Sequence, residues 1–308
     1  MTLIRKVNEL EIPRNVKMMI YGQAGAGKTT LALSASKPCV LDFDRGVRRV
    51  SPKHLMASGA GVIQVNRWEE VMSILTAEVD DIMPYDTIVV DTVGKMMDYI
   101  TSYRCNGGQP RLQDWGRINN DFKWFCSRLS ELGKNIIFVA HRNGETKKGE
   151  SVSYVPQLRT KNYNDIITEL DLLGYIEMKN ENGRQLRTIT FDPREENDGK
   201  NTCGLPSLLH IPDLASSANT FVEDVIFKAF RDRLDEWEQI ARSGDTDEVK
   251  AFASQIDAIT DAEGATAFYK AFVAEQHTGD VKRRVGALLK RKTDALGLKL
   301  DKATQAYV

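Results

Sequence analysis

Glycine, lysine and threonine recur near the start of the chain at a spacing that suits phosphate binding. Residues 18–35 read MMIYGQAGAGKTTLALSA and hold the pattern G-x-x-x-x-G-K-[ST] between an apolar run and a helix-forming run. The backbone N–H groups of such a loop turn inward around a phosphate, and the following helix adds its positive end. The alternative is a glycine-rich turn that binds nothing. The residues predicted to bind the nucleotide are Gly22, Gln23, Ala24, Gly25, Ala26, Gly27, Lys28, Thr29 and Thr30.

Hydrolysis of a bound nucleotide needs polar groups beyond the loop. Lys28 can reach the β- and γ-phosphates, and the Thr29 hydroxyl can bind Mg²⁺ next to a carboxylate from a neighbouring strand. The segment YDTIVVDTVG supplies Asp91 at the end of an apolar run. We therefore predict that Lys28 and Asp91 are catalytic and that Thr29 and Asp91 form the metal site. Because Thr92 follows Asp91, where ATPases of the extended type have glutamate, the water-positioning residue must come from elsewhere.

A second acidic segment offers that residue. CVLDFDRGV ends with Asp42 and Asp44, and Asp44 falls just past the predicted strand, on the phosphate side of the sheet. A carboxylate at this place can orient or deprotonate a water molecule. The alternative is that both aspartates belong to a solvated loop.

Other classes of phosphate-loop protein fit less well. Residues 91–94 match the D-x-x-G of GTPases, but no N-K-x-D motif follows to read guanine. Partitioning ATPases have a lysine near the start of the loop, where this chain has Gln23. No arginine-rich lid of a nucleoside kinase is evident. The sequence therefore favours ATP as the nucleotide, with Mg²⁺.

The pattern of apolar runs indicates the elements that position these residues. Short runs rich in valine and isoleucine alternate with helical segments, which is typical of a parallel sheet with crossover helices. Two later strands flank Asn182-Gly183, a hairpin turn signal that predicts an antiparallel edge. From residue 220 apolar residues recur at three- and four-residue steps, so we predict a core at 1–219 and a helical module at 220–308. The predicted parallel strands are 17–21, 39–42, 61–65, 87–90 and 135–140.

Composition narrows the setting in which the protein works. The 308 residues carry a net charge of −1, so nucleic acid would have to bind through local patches. Its four cysteines include no C-x-x-C pair, and no apolar run has the length of a signal peptide core or a membrane span. We expect a cytosolic protein that does not bind a membrane. The basic stretch 282–302 fits a nucleic-acid contact and the solvated face of a terminal helix equally well.

Several segments resemble a known family. LDFDRG is similar to the strand-two segment of RecA-like recombinases, in which Asp44 takes the place of the catalytic glutamate and is one methylene shorter. NGGQPRLQDWGRINNDF at 106–122, SYVPQLRTKNYNDI, ELDLLGYIE and GKNTCGLP resemble phage-encoded RecA-like ATPases of the Sak group of single-strand annealing proteins. The likeness spans about residues 13–213. It implies a RecA-like P-loop core with a mainly parallel sheet.

The same resemblance implies an activity. The protein would be a Mg²⁺-dependent ATPase that binds single-stranded DNA and promotes annealing or recombination in a phage, inside the bacterial host cytosol. His141, at the end of the fifth strand, would sense the γ-phosphate, although a structural histidine fits as well. Two loops, 103–116 and 142–159, would face the DNA, and Trp115 fits a core anchor equally well. The candidate DNA contacts are Arg104, Arg111, Trp115, Arg142, Lys147 and Lys148.

RecA-like enzymes also complete their sites across subunits. Arg159 or Lys161 would reach a neighbour's γ-phosphate, which predicts a homo-oligomer in the form of a ring or filament. A surface role for both residues is the alternative. A single-strand binding protein is a further expected partner. The short Asp44 side chain keeps open a second function, in which ATP gates binding to replication or host-defence proteins with little hydrolysis.

Overall fold

The chain folds into two units. The computed structural model describes residues 10, 12–146, 152–181, 184–214, 220–242, 247–301 and 304–308. The first unit is Arg14–Arg231, and the second contains Asp232–Val308. The sequence pattern predicts the boundary after residue 219, whereas the observed boundary follows Arg231. The reason is local, because Val222 donates its backbone N–H to the Ser34 hydroxyl at 3.0 Å and its side chain is fully buried.

A ten-stranded sheet forms the centre of the first unit. Its order is β10-β8-β7-β1-β5-β4-β2-β3, with β6 paired to β5 and β9 to β7. The strands from β7 to β3 are parallel to one another, whereas β8 and β10 run antiparallel at one edge. The predicted fold class is therefore confirmed. The strands are β1 Lys17–Gly22, β2 Pro38–Asp42, β3 Gly61–Gln64, β4 Thr87–Asp91, β5 Asn135–Thr146, β6 Val152–Pro156, β7 Leu172–Glu181, β8 Arg184–Thr190, β9 Lys200–Asn201 and β10 Leu209–Ile211.

Helices cover both faces of this sheet. Each predicted parallel strand is present, and β5 pairs with both β1 and β4, so it lies between the loop strand and the Asp91 strand. Thr92 caps the helix after β4, where its hydroxyl accepts a hydrogen bond from the Lys95 N–H at 3.3 Å. The helices are α1 Lys28–Ala32, α2 Pro52–Ala57, α3 Trp68–Ile74, α4 Val93–Arg104, α5 Asp114–Glu131 and α6 Thr160–Glu169, with 3₁₀ turns at Gly46–Arg49 and Val79–Asp81.

The second loop predicted to face DNA, 142–159, lies mostly in strands where it is described. β5 continues past His141 and pairs antiparallel with β6, so that Arg142 lies opposite Pro156 and Asn143 opposite Val155. The polar composition hid this hairpin because its strands cover no continuous apolar face. Residues 147–151, between β5 and β6, lie outside the described residues, as does the predicted Asn182-Gly183 turn between β7 and β8.

The core on one face of the sheet is aromatic and aliphatic. The helix α5 places apolar residues at three- and four-residue steps against β4 and β5, as its sequence predicts. Trp68 of α3 packs on Phe125 with ring centroids 5.7 Å apart. This packing fixes the strands whose ends carry the polar residues. The fully buried side chains of α5 are Ile118, Phe125 and Leu129, and Phe122 is 1% exposed.

The second unit is mostly helical, as predicted. Phe252, Phe268 and Phe272 form its aromatic centre, and a short strand pair follows the last helix. Part of the basic stretch is engaged within the unit, since Arg291 pairs with Glu238 and Lys292 donates to the Asp257 carbonyl. A π-helical turn at Val222–Phe227 leads into this unit, whose elements are α7 Lys228–Arg242, α8 Asp247–Asp257, α9 Ala262–Ala274, α10 Gly279–Ala295, β11 Leu300–Asp301 and β12 Ala306–Tyr307. Within the described part of the chain, the helices are too short or too polar to span a bilayer.

Phe122→Ala tests the core of the first unit. Removing the buried ring leaves a cavity, so we expect the free energy of unfolding to fall by about 3–5 kcal/mol in urea titrations. Leu112→Ala is the matched control because Leu112 is 92% exposed, and its effect is expected to stay within about 0.5 kcal/mol. Equal effects of the two substitutions would contradict the packing described here.

Candidate nucleotide-binding site

The glycine-rich loop closes around its own lysine. Gly25 and Gly27 have φ angles of 79° and 90°, which favour glycine because other side chains are strained in this region. The Lys28 Nζ donates hydrogen bonds to the carbonyl oxygens of Gly22, at 3.1 Å, and Gln23, at 2.8 Å. The loop therefore has a defined shape with its cation at the centre. The helix α1 that follows is only five residues long, so less of the site's positive potential comes from a helix end than the sequence suggests.

Lys28 is buried near side chains of both negative and positive charge. The residue is 6% exposed, and its burial lowers the pKa of the ammonium group to about 8. Asp91 and Asp44 oppose this shift, and Arg142 adds to it. A negatively charged phosphate would offset the burial and favour the charged form.

Asp91 lies where a metal-binding carboxylate is needed. Its Oδ2 accepts a hydrogen bond of 2.6 Å from the Thr29 hydroxyl, across β5 from the loop strand. Burial raises the pKa of Asp91 to about 6, and the negative charges of Asp44 and Asp42 act in the same direction. The Thr29 hydrogen bond and Lys28 oppose the rise. A hydroxyl and a carboxylate in direct contact are a donor set that fits Mg²⁺.

Asp42 and Asp44 bring further carboxylate oxygens to the same edge. Asp42 Oδ1 accepts from the Gly46 N–H at 2.8 Å, while Asp42 Oδ2 and Asp44 Oδ1 are buried with no hydrogen-bond partner among the described residues. Burial raises the pKa of Asp42, and Asp44 contributes. The Arg49 guanidinium lies 3.8 Å from the second Asp44 oxygen. Unpartnered buried oxygens fit a site that is completed by a cation or water.

Gly46 is a site residue that motif reading missed. A Cβ at this position would lie 2.6 Å from Asp44 Oδ1 and 3.6 Å from Asp91 Oδ2. The backbone at residue 46 thus approaches the Asp44 carboxylate more closely than an added side chain allows, and it lies at ordinary contact distance from Asp91. The glycine after D-x-D-x in LDFDRG is the signal that could have identified it.

His141 lies level with the start of the loop. In the parallel pairing of β1 and β5 it faces Gly22, and its carbonyl accepts the Gln157 N–H at 2.7 Å. Burial lowers the pKa of His141, and Lys28 and Arg49 add to this effect while Asp44 opposes it. The site therefore favours the neutral imidazole, which can donate or accept a hydrogen bond.

Arg142 lies against the phosphate loop, although the sequence placed it among the DNA contacts. Its guanidinium donates to the Tyr175 hydroxyl at 2.6 Å and to Gln23 Oε1 at 3.2 Å. The same group lies 4.0 Å from the ring centroid of Tyr154. These contacts hold the charge beside the first part of the loop, since β5 carries Arg142 directly past His141.

A cleft of about 610 Å³ connects the acidic edge to the loops predicted to face DNA. Asp44, Thr92 and His141 line this cleft together with Trp115 and Arg159. The Arg159 guanidinium stacks over the Trp115 ring, 3.2 Å from its centroid. Trp115 also packs partly on the core, so both of its predicted roles are compatible with its position.

The remaining candidate residues differ in their exposure and in the hydrogen bonds that they form. Arg104 forms two hydrogen bonds with Asp121, which occupies its guanidinium. Arg111 is exposed and donates to Asp114 at 3.3 Å. Lys161 is exposed in the first turn of α6. Lys147 and Lys148 lie outside the described residues.

The chain is similar to several known proteins. A family model described as an AAA domain matches residues 14–203. The SPbeta prophage-derived uncharacterized protein YorG of Bacillus subtilis (strain 168) is 27% identical over 143 residues, which cover 42% of this chain and 42% of that protein. The chain therefore aligns with less than half the length of this relative.

Flagellar accessory protein FlaH from Methanocaldococcus jannaschii has a TM-score of 0.41 at 13% identity, covering 66% of this chain and 89% of FlaH. A KaiC-like protein from Pyrococcus horikoshii OT3 has a TM-score of 0.37 at 13% identity, covering 64% and 89%.

The two shifted pKa values predict a bell-shaped pH dependence of Mg²⁺·ATP binding. Below about pH 6 Asp91 is protonated, so it must lose a proton before a cation can bind. Above about pH 8 Lys28 is neutral and must gain a proton to bind phosphate. Affinity measured by calorimetry should therefore be highest between these values. Asp91→Asn should remove the acidic limb, and its persistence in that variant would contradict the assignment.

Gly46→Ala tests the close approach to Asp44. The added Cβ displaces the Asp44 carboxylate, and a displacement of about 1 Å can lower a catalytic rate about one-hundredfold. We expect ATP hydrolysis to fall by about tenfold or more while ATP affinity changes little. Gly286→Ala, a helical glycine of the second unit with open space around it, is the matched control. An unchanged rate in Gly46→Ala would show that Asp44 does not act in hydrolysis.

Proposed function

Because the chain belongs to the AAA domain family, we propose that it is a Mg²⁺-dependent ATPase whose hydrolysis is coupled to single-stranded DNA. The observation that carries the nucleotide half of this proposal is the contact between the Thr29 hydroxyl and the buried Asp91 carboxylate. The cleft from Asp44 and His141 to Trp115 and Arg159 supports the DNA half.

The residues around the phosphate loop have defined tasks in this proposal. The loop N–H groups and Lys28 bind the phosphates, and Thr29 and Asp91 hold the cation. Bound Mg²⁺ would neutralise charge on the β- and γ-phosphate oxygens. Asp44 accepts a hydrogen bond from the attacking water and orients it. His141, at the level of Gly22, faces the terminal phosphate, and Arg142 holds a positive charge beside Gln23 in the first part of the loop.

A chain of contacts supports the coupling to DNA. The His141 carbonyl accepts the Gln157 N–H, and residues 157–159 continue to the Arg159 guanidinium that stacks on Trp115. An aromatic ring and an arginine suit single strands, because a base can stack on the ring while the cation neutralises a phosphate. A change at His141 on loss of the γ-phosphate would thus be passed to the DNA-binding pair. Arg104 is left out of this proposal because Asp121 holds it.

Steady-state ATP hydrolysis with and without single-stranded DNA tests the proposal, with duplex DNA as the comparison. We expect stimulation by single strands alone. Arg159→Gln should weaken single-strand binding about tenfold and reduce its salt dependence by about one ion. Arg67→Gln is the matched control, since Arg67 is exposed and pairs with Glu70 away from the cleft. Equal hydrolysis in all three conditions would contradict the coupling.

Asp44→Glu tests which residue positions the water. The additional methylene extends the carboxylate toward the nucleotide, so we expect a higher hydrolysis rate with unchanged ATP affinity. Asp44→Asn keeps the size but removes the negative charge, and it should lower the rate about one-hundredfold or more. If neither variant alters turnover, another group positions the water.

A second candidate function rests on the short Asp44 side chain. In this alternative, ATP orders the loops around the cleft with little hydrolysis, and the partners are proteins of replication or host defence. Tight ATP binding without stimulation by either form of DNA would favour it. The hydrolysis assay therefore separates the two functions.

The proposal also covers the biological role, the oligomeric state and the protein partner. The similarity to a prophage-derived protein supports a role in a phage, in the host cytosol, and single-strand annealing or recombination fits the proposed DNA coupling. We further propose a ring or filament of identical subunits, with exposed Lys161 as the trans-acting charge and Arg159 occupied by Trp115. A single-strand binding protein is the proposed protein partner.

A further inference from the structure

Arg187 lies over the phosphate loop from the antiparallel edge of the sheet. A Cβ on Gly27 would lie 3.5 Å from Arg187 Nε and 3.6 Å from its Cδ, so the side chain contacts the last glycine before Lys28. Arg187 Nε is buried and has no hydrogen-bond partner among the described residues. Leaving a buried donor of a cation unpaired is costly, which points to an anionic partner at this place.

The strand register explains how a distant arginine arrives there. Gly22, the last residue of β1, lies level with Ile176, and β7 continues beyond it to Met178. Met178 pairs with Arg187 on β8. Arg187 therefore lies past the end of β1, at the level of the loop that leaves this strand.

The position of Arg187 also indicates which phosphate it meets. Asp91 approaches the loop from the β5 and β4 side, whereas Arg187 approaches from the β7 and β8 side. A cation held by Thr29 and Asp91 would neutralise charge on the β- and γ-phosphates, so the γ-phosphate is expected on the Asp91 side. The chain of phosphates then leads away from it toward Arg187.

We propose that Arg187 binds the α-phosphate of the nucleotide, an inference that rests on the proposed function of the loop. It assigns a further cation of the same chain, besides Lys28 and Arg142, to the end of the triphosphate that is remote from the metal. A contact with the α-phosphate is present in ATP and ADP alike. Arg187 thereby contributes to holding the product as well as the substrate.

Calorimetric titration of Arg187→Gln with ATP and with ADP, each with Mg²⁺, tests this assignment. We expect both affinities to fall by the same factor, about tenfold to one-hundredfold, which is typical of a charge-assisted hydrogen bond. Arg67→Gln should bind both nucleotides as the wild type does. A loss confined to ATP would place Arg187 at the γ-phosphate and overturn the proposal, and unchanged affinities for both would refute it.

Two further measurements separate this proposal from its premise and from a folding defect. If the wild type binds neither nucleotide, or if Lys28→Ala binds both normally, the proposed function fails and the role of Arg187 fails with it. Arg187→Met, which keeps an unbranched side chain, serves as a second variant. Its Tm without nucleotide should match that of the wild type, while the rise in Tm caused by ADP should shrink. A lower Tm without nucleotide and an unaltered ADP-induced rise would assign Arg187 a structural role instead.

Discussion

Three carboxylates gathered at one edge of the sheet, those of Asp42 and Asp91 buried and that of Asp44 partly exposed, are the constraint around which the site is arranged. Asp91 is stabilised by the Thr29 hydroxyl and by Lys28, yet Asp42 and Asp44 add negative charge close by and raise its pKa. Such a cluster is costly unless cations balance it. Parallel strands make the cluster unavoidable, because their carboxyl ends meet at a single edge. The loop, its lysine and a divalent cation together offset the charge that this geometry concentrates.

The position of β5 and β7 on either side of β1 divides the surroundings of the loop. On the β5 side lies His141, near the acidic edge and the cleft, whereas Arg142 contacts Gln23 and reaches Tyr175 of β7. On the β7 side lie the antiparallel strand β8 and Arg187. The residues proposed for hydrolysis thus lie on the β5 side of the loop, and the residue proposed to hold the nucleotide lies on the β7 side. The aromatic core beneath, centred on Trp68 and Phe125, keeps these strands in register.

The sequence predicted those features that depend on neighbouring residues. The loop, Asp91 and the five parallel strands could be recognised because their patterns are local, and the strand ends agree within one residue except that β5 continues to Thr146. Arg187 could not be found, because its place depends on the pairing of Met178 with a residue of another strand. The orientation of Arg142 toward Gln23 and Tyr175 depends likewise on contacts between distant segments. Gly46 was overlooked because its role depends on where the Asp44 carboxylate lies, 2.6 Å from the position of a Cβ on residue 46, and not on a recognised motif.

The hydrogen bonds that Lys28 forms with its own loop affect the thermodynamics of the site. Its ammonium group has three N–H donors, of which the Gly22 and Gln23 carbonyls take two, so an arriving phosphate can accept from the third while the loop keeps the other two. Binding then adds a hydrogen bond to a group that the loop already holds in place. When the ligand leaves, the buried Lys28 ammonium group keeps its two hydrogen bonds to the loop carbonyls. The loop is therefore suited to repeated loading and emptying, with occupancy governed by the surrounding nucleotide concentration.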